Sequence, residues 1–145
     1  MGIIWQFQGN NRFLSNFYPS YVKYEGLRYP TSENAYQAAK TLHPDVRRHF
    51  LHISPGEAKK LGRKVPLRPF WDDTRLQIMA QIVTLKFEGD EGLAKMLIDT
   101  YPQKLVEGNT WGDKFWGVVY NPREMKWEGE NHLGRILMRV RKGLL

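Results

Sequence analysis

The chain contains no cysteine. That excludes a disulfide framework, a thiolate nucleophile and any Cys-ligated zinc or iron–sulfur centre. It also has no long apolar run: the longest is a few residues, where a membrane helix needs roughly 18 to 20. No charged-then-apolar leader opens it, so the expectation is a soluble, cytoplasmic protein without a membrane partner. The histidines His43, His49, His52 and His132 show no HExxH-like spacing, so no metal ligands and no cofactor are expected. Walker, GxGxxG and GxSxG patterns are all missing. There is no internal repeat, low-complexity stretch or linker.

What is present fits one domain. A length of 145 residues suffices for a core that buries about two-thirds of the unfolded chain's surface. Acids are outnumbered, 15 Asp+Glu against 22 Lys+Arg, for a net charge of +7. Such a surplus suits anionic partners: nucleic acid, nucleotides or phosphorylated metabolites. The cations are spread along the chain, and a solvated basic surface explains them equally well. Aromatics reach 13%, with five tryptophans. Several stand in Gly/Pro/Asn-bounded segments where core demand does not account for them.

Hydrophobic spacing predicts short strands over 3–7, 21–24 and 118–120. Helices are predicted from an N-cap at Thr31 through Leu42, over 45–52, from Ser54 to Gly62, over 74–88, from Asp90 to Thr100, and from Asn131 to Lys142. Ser54-Pro55-Gly56-Glu57 reads as a capping box with proline in the first turn. No βαβ alternation appears, which argues against a parallel-sheet fold. The expected architecture is mainly α, a single-domain helical bundle of about six helices with a few short strands, spanning 1–145.

Three segments and a loop carry candidate chemistry. On the helix after Thr31, Ala35, Ala38, Ala39 and Leu42 share one side, while Glu33, Tyr36, Gln37 and Lys40 gather opposite. That polar sector is either an ordinary solvated face or one wall of a pocket. In Gly112-Asp113-Lys114-Phe115-Trp116-Gly117, Trp116 can lie against a planar ring with Asp113 near a sugar; a Gly-rich turn anchored by core aromatics is the competing reading. In Phe13-Leu14-Ser15-Asn16-Phe17-Tyr18-Pro19, Asn16 can hydrogen-bond a ligand stacked on an aromatic such as Phe17, or the loop can simply plug the core. Leu67-Arg68-Pro69-Phe70-Trp71-Asp72-Asp73 combines the residue types of phosphate and base recognition, and equally those of a surface loop over a buried Trp71.

Taken in order, these segments resemble one family. The Phe13–Pro19 stretch is followed by Tyr29-Pro30-Thr31-Ser32-Glu33-Asn34-Ala35-Tyr36-Gln37-Ala38-Ala39-Lys40 and Ala58-Lys59-Lys60-Leu61-Gly62-Arg63. Then come Lys86-Phe87, Leu105-Val106-Glu107, Asp113-Lys114-Phe115-Trp116-Gly117 and Asn131-His132-Leu133-Gly134-Arg135-Ile136-Leu137-Met138. The chain resembles the NADAR (NAD and ADP-ribose associated) family of the YbiA-like type over nearly its whole length. It departs at Asn34, where His is frequent, and in a longer approach from Asn121 to Glu130.

The resemblance implies a mainly helical fold and cleavage of an N-glycosidic bond. The substrate classes it implies are riboflavin-pathway aminopyrimidine ribotides and ADP-ribose attached to guanine, on nucleotide or DNA. An N-glycoside breaks through an oxocarbenium-like state, so a carboxylate must stabilise the sugar or activate water. Glu33 is the first choice and Asp113 the second. Lys40 either attacks C1 of a ring-opened ribose as a neutral amine or binds phosphate. Asn16, Phe17, Tyr36 and Gln37 are expected to line the substrate, Trp71 and Trp116 to stack on the base, and Arg63 or Arg68 to hold the phosphate. The alternative is a non-catalytic nucleotide or ADP-ribose binding module; a general nucleic-acid binder is a third class, marked by steep salt dependence.

Overall fold

Glu25-Gly26 is a two-residue turn between β-prone tripeptides, and the computed structural model, which describes residues 2–145, folds it as a hairpin. Both turn residues have positive φ, 46° at Glu25 and 90° at Gly26, the twist that two-residue hairpins require. The strands are β1, Ile3–Ile4, then β2, Val22–Tyr24, and β3, Leu27–Tyr29. After them come β4, Lys104–Leu105, β5, Val119–Asn121, and β6, Lys126–Glu128. The α-helices are α1, Ser32–Ala38, α2, Pro44–Arg48, α3, Pro55–Gly62, α4, Trp71–Glu88, α5, Glu91–Asp99, and α6, His132–Leu144. The chain is mainly helical, with its strands in two-stranded pairs. No described helix is long and apolar enough to cross a membrane.

The chain forms two compact units, 16–90 and 2–15 with 91–145. In the first, β2 and β3 pair antiparallel with Val22 opposite Tyr29. Helix α1 packs on α2, α3, α4 and both strands of the hairpin. All seven of its residues are buried. The expected helix through Leu42 stops early, and Leu42 is exposed. External donors satisfy carbonyls just past the end of α1, which no helical N–H reaches. Arg68 N–H donates to Lys40 O at 2.7 Å, and Arg47 Nε to Thr41 O at 2.8 Å. Pro44, one residue before the helix expected over 45–52, opens α2, where its missing N–H costs nothing.

The capping box forms as read, with Ser54 Oγ accepting from Glu57 N and Glu57 Oε1 accepting from Ser54 N, both at 3.1 Å. Helix α4 begins at Trp71, three residues before the expected start, with Asp72 and Asp73 in its first turn, where acids suit the dipole. It buries Trp71, Ile78, Met79, Ile82, Val83, Lys86 and Phe87, while Leu76 is exposed.

In the other unit β1 and β4 pair in parallel, Ile3 opposite Lys104, and β5 and β6 form an antiparallel hairpin. The latter occupies the longer approach noted in the sequence. Helix α6 packs on β4 and α5. It buries Leu133, Ile136 and Leu137 and exposes Arg135, Arg139 and Lys142. Asn131, the expected N-cap, makes no cap bond; its side chain accepts from Glu107 N and donates to Leu105 O, both at 3.0 Å. Gly134 is required there, since a Cβ would collide with Leu105 O.

Candidate functional site

The polar side of α1 is not a solvated face. Glu33 is only 8% exposed and Gln37 5%. Thr31 caps the helix, its Oγ1 accepting from Asn34 N at 3.1 Å. Asn16 covers the same end: its carbonyl accepts from Glu33 N at 3.0 Å, and its Oδ1 accepts from Ser32 Oγ at 2.9 Å. Asn16 Nδ2 points at Met79 Sδ, 3.5 Å away on α4. Phe17, beside it, is exposed. Asn34 is fully buried, and its amide donates to Phe50 O and Ile53 O, both at 2.9 Å. It anchors the chain between α2 and α3.

One turn beyond Glu33, Gln37 Nε2 donates to the Glu33 carboxylate at 2.6 Å. Lys40 follows past the helix end. Burial holds its amine below the ordinary lysine range; the Glu33 carboxylate opposes that shift, and the charges of Arg63, Arg75 and Lys59 reinforce it. Those cations come from α3, its C-cap and the first turn of α4. Lys40 Nζ lies 6.0 Å from the centre of the Tyr36 ring. On its other contact Tyr36 meets Trp71, ring centres 5.3 Å apart. Both rings are buried. Arg68 sits beside Lys40, donating from its backbone to Lys40 O and from Nη1 to Ala39 O at 3.4 Å. One acid in the first turn of α1, two aromatics and several cations therefore lie along the helix and the residues just past its end.

Lys59 and Arg75 were not among the expected residues. Their signal was the i,i+4 spacing of Lys59 with Arg63 and of Trp71 with Arg75, the second hidden because the helix was read from Thr74. Lys86, within the Lys86-Phe87 motif, is a third residue whose setting periodicity does not signal. It is 1% exposed, its amine lies 5.8 Å from the Tyr18 ring and 5.1 Å from Phe87, and burial pushes it down to about 7.

Asp113 and Trp116 belong to the other unit. Asp113 Oδ1 accepts from Phe115 N at 3.0 Å and Trp116 N at 2.8 Å. Buried Asn109 holds the same turn, accepting from Asp113 N at 3.0 Å and donating to Asp113 O at 2.8 Å. Trp116 is half-buried, edge-on to Phe115 with centres 4.8 Å apart. Phe115 in turn lies 4.6 Å from His132. Among the described residues, no group of three or more His, Asp or Glu side chains is arranged to hold a metal ion.

A family model described as the NADAR domain matches residues 4–145. The N-glycosidase YbiA of Escherichia coli (strain K12) is 36% identical over 133 residues, covering 90% of this chain and 79% of that protein. An N-glycosidase of Nostoc punctiforme is 34% identical over 145 residues, covering 96% and 87%. A longer riboflavin biosynthesis protein of Vibrio vulnificus is 36% identical over 138 residues, 93% of this chain but 36% of its own length. The solution structure of E. coli YbiA superposes with a TM-score of 0.82 at 34% identity, covering 99% of this chain and 84% of that one.

Proposed function

The chain belongs to the NADAR family and is an N-glycosidase, and from that premise we propose that it cleaves the C1–N bond of a ribosyl phosphate held alongside α1, between Glu33 and the cations near Lys40. One observation carries the reading: half-buried Lys40 is acted on by the Glu33 carboxylate and by three further cations, Arg63, Arg75 and Lys59. A phosphorylated ribose needs that combination. Lys59, Arg63 and Arg75 supply charge for the phosphate, and Glu33 faces the carbon where positive charge develops.

As the C1–N bond breaks, its electron pair leaves with the base nitrogen and C1 becomes cationic. Glu33 stabilises that cation and takes a proton from the attacking water, whose oxygen bonds to C1. The leaving nitrogen is then protonated, giving free base and ribose phosphate. The burial of Lys40 favours a second route at the same place. Lowering the amine's pKa favours its neutral form, which adds to C1 of a ring-opened ribose and expels the base's amine; water then hydrolyses the resulting imine. Both routes need Glu33.

The substrates proposed are an aminopyrimidine ribotide and ADP-ribosylated guanine, which share a nitrogen-linked ribose with phosphate on its C5 oxygen. The first is supported by the name of the V. vulnificus relative. The test is incubation with each, assaying released ribose phosphate or ADP-ribose. Turnover of either supports the reading. Saturable binding of both without product would favour a binding module.

A further inference from the structure

Glu33 cannot act well if its carboxylate wanders, and the structure shows what restrains it. Gln37 lies one helical turn on, so the two side chains stack along one face. The bond from Nε2 to Oε2 is short, 2.6 Å, between groups that are both more than nine-tenths buried. An ionised carboxylate only accepts, so the amide must present its nitrogen to it. Its oxygen is thereby turned away. Among the described residues Gln37 Oε1 has no hydrogen-bond partner and is buried, facing Gly62 on α3, where a Cβ would collide with Oε1 and come within 2.7 Å of Cδ. Burying an acceptor without a partner is unfavourable. The fold tolerates it here because the opposite end of the amide makes a charge-assisted bond.

We propose that Gln37 is a positioning residue for Glu33, not a substrate contact, and that Gly62 is a glycine because it leaves room for the Gln37 amide. With Oε2 engaged by Gln37, the carboxylate is held in one orientation. Helix α1 thus carries the acid and its support on consecutive turns, and α3 closes behind them. The inference rests on the reading of Glu33 as the acid/base residue.

The experiment is steady-state kinetics on an aminopyrimidine ribotide across pH for Gln37→Met, Gln37→Glu and Gly62→Ala, with Glu33→Gln beside them. Gln37→Met fills similar space and removes the unpartnered acceptor, so its thermal midpoint should hold. Its kcat should fall roughly 10- to 100-fold, as for a catalytic group left misplaced, with KM little changed. The acid limb of its profile should move up, because the carboxylate has lost a donor. Gln37→Glu should be active only at low pH, where its protonated carboxyl can make the same bond, and inactive once two carboxylates face each other. Gly62→Ala should shift the acid limb in the same direction as Gln37→Met.

Wild-type kcat and an unmoved acid limb in Gln37→Met would overturn the inference, and so would a raised KM with kcat intact. If Glu33→Gln is inactive while Gln37→Met is normal, the positioning role alone falls. If Glu33→Gln itself turns over normally, the assignment of Glu33 falls and takes this inference with it.

Discussion

Replacing Lys86 should change how stability depends on pH, and the size of the change follows from its burial. The amine titrates at about 7 in the folded chain, against an ordinary value of 10.5, because burial disfavours its charged form. Between those values the unfolded chain holds a proton that the folded chain has released. Stability therefore rises with pH through this window, at up to roughly 1.4 kcal/mol per unit. Below the folded value both states are protonated and the full cost of the buried charge is felt. Lys86→Met removes the titrating group and flattens that rise. Integrating both protonation curves from about pH 7.5 to about pH 9.5, the stability of the wild type relative to the variant should rise by roughly 2.5 kcal/mol. Lost contacts or altered packing displace the whole curve without changing its slope. Reversible urea unfolding of both proteins across the range measures the difference. Parallel curves would refute the argument and show that the amine stays charged inside the fold.

Two further substitutions separate structure from chemistry. Trp71 is buried against Tyr36, so Trp71→Ala should cost about 3–5 kcal/mol of stability; an unchanged midpoint with weakened substrate binding would instead put the indole against the base. Asp113 Oδ1 accepts two backbone N–H groups, so Asp113→Ala should lose about 1–3 kcal/mol as they go unpaired. Asp113→Asn keeps the acceptor and should keep kcat within about tenfold; a collapse of kcat would move the acid role to Asp113.

Local signals read well where a single residue decides them. Ser54, Glu57 and Pro55 define the start of α3, and the capping bonds form as their spacing requires. Thr31 does the same for α1. What sequence periodicity could not reveal is that α1 is covered on both sides. An apolar face opposite a polar one is the pattern of a half-exposed helix, and only packing from α2, α3, α4 and the hairpin buries Glu33, Tyr36 and Gln37 as well. The start of α4 was missed because Phe70 opens it with φ of 60° and no side-chain cap. With Trp71 read in a loop, the helix that carries both Trp71 and Arg75 is not seen, and neither is the clustering of cations around Lys40. Likewise, the hydrogen bonds that tie Asn16 to α1 and Asp113 to its own turn depend on contacts that no local pattern encodes.

The most direct test of the account is the turnover of Glu33→Gln, measured with its thermal midpoint. The substitution preserves shape and leaves an oxygen to accept from Gln37, so the fold should persist. It removes the negative charge from the place where C1 becomes cationic. The account predicts a fall in kcat of about 10² to 10⁴-fold, with substrate affinity changed far less, because that charge matters most in the transition state. A Glu33→Gln enzyme with near-normal kcat would contradict it.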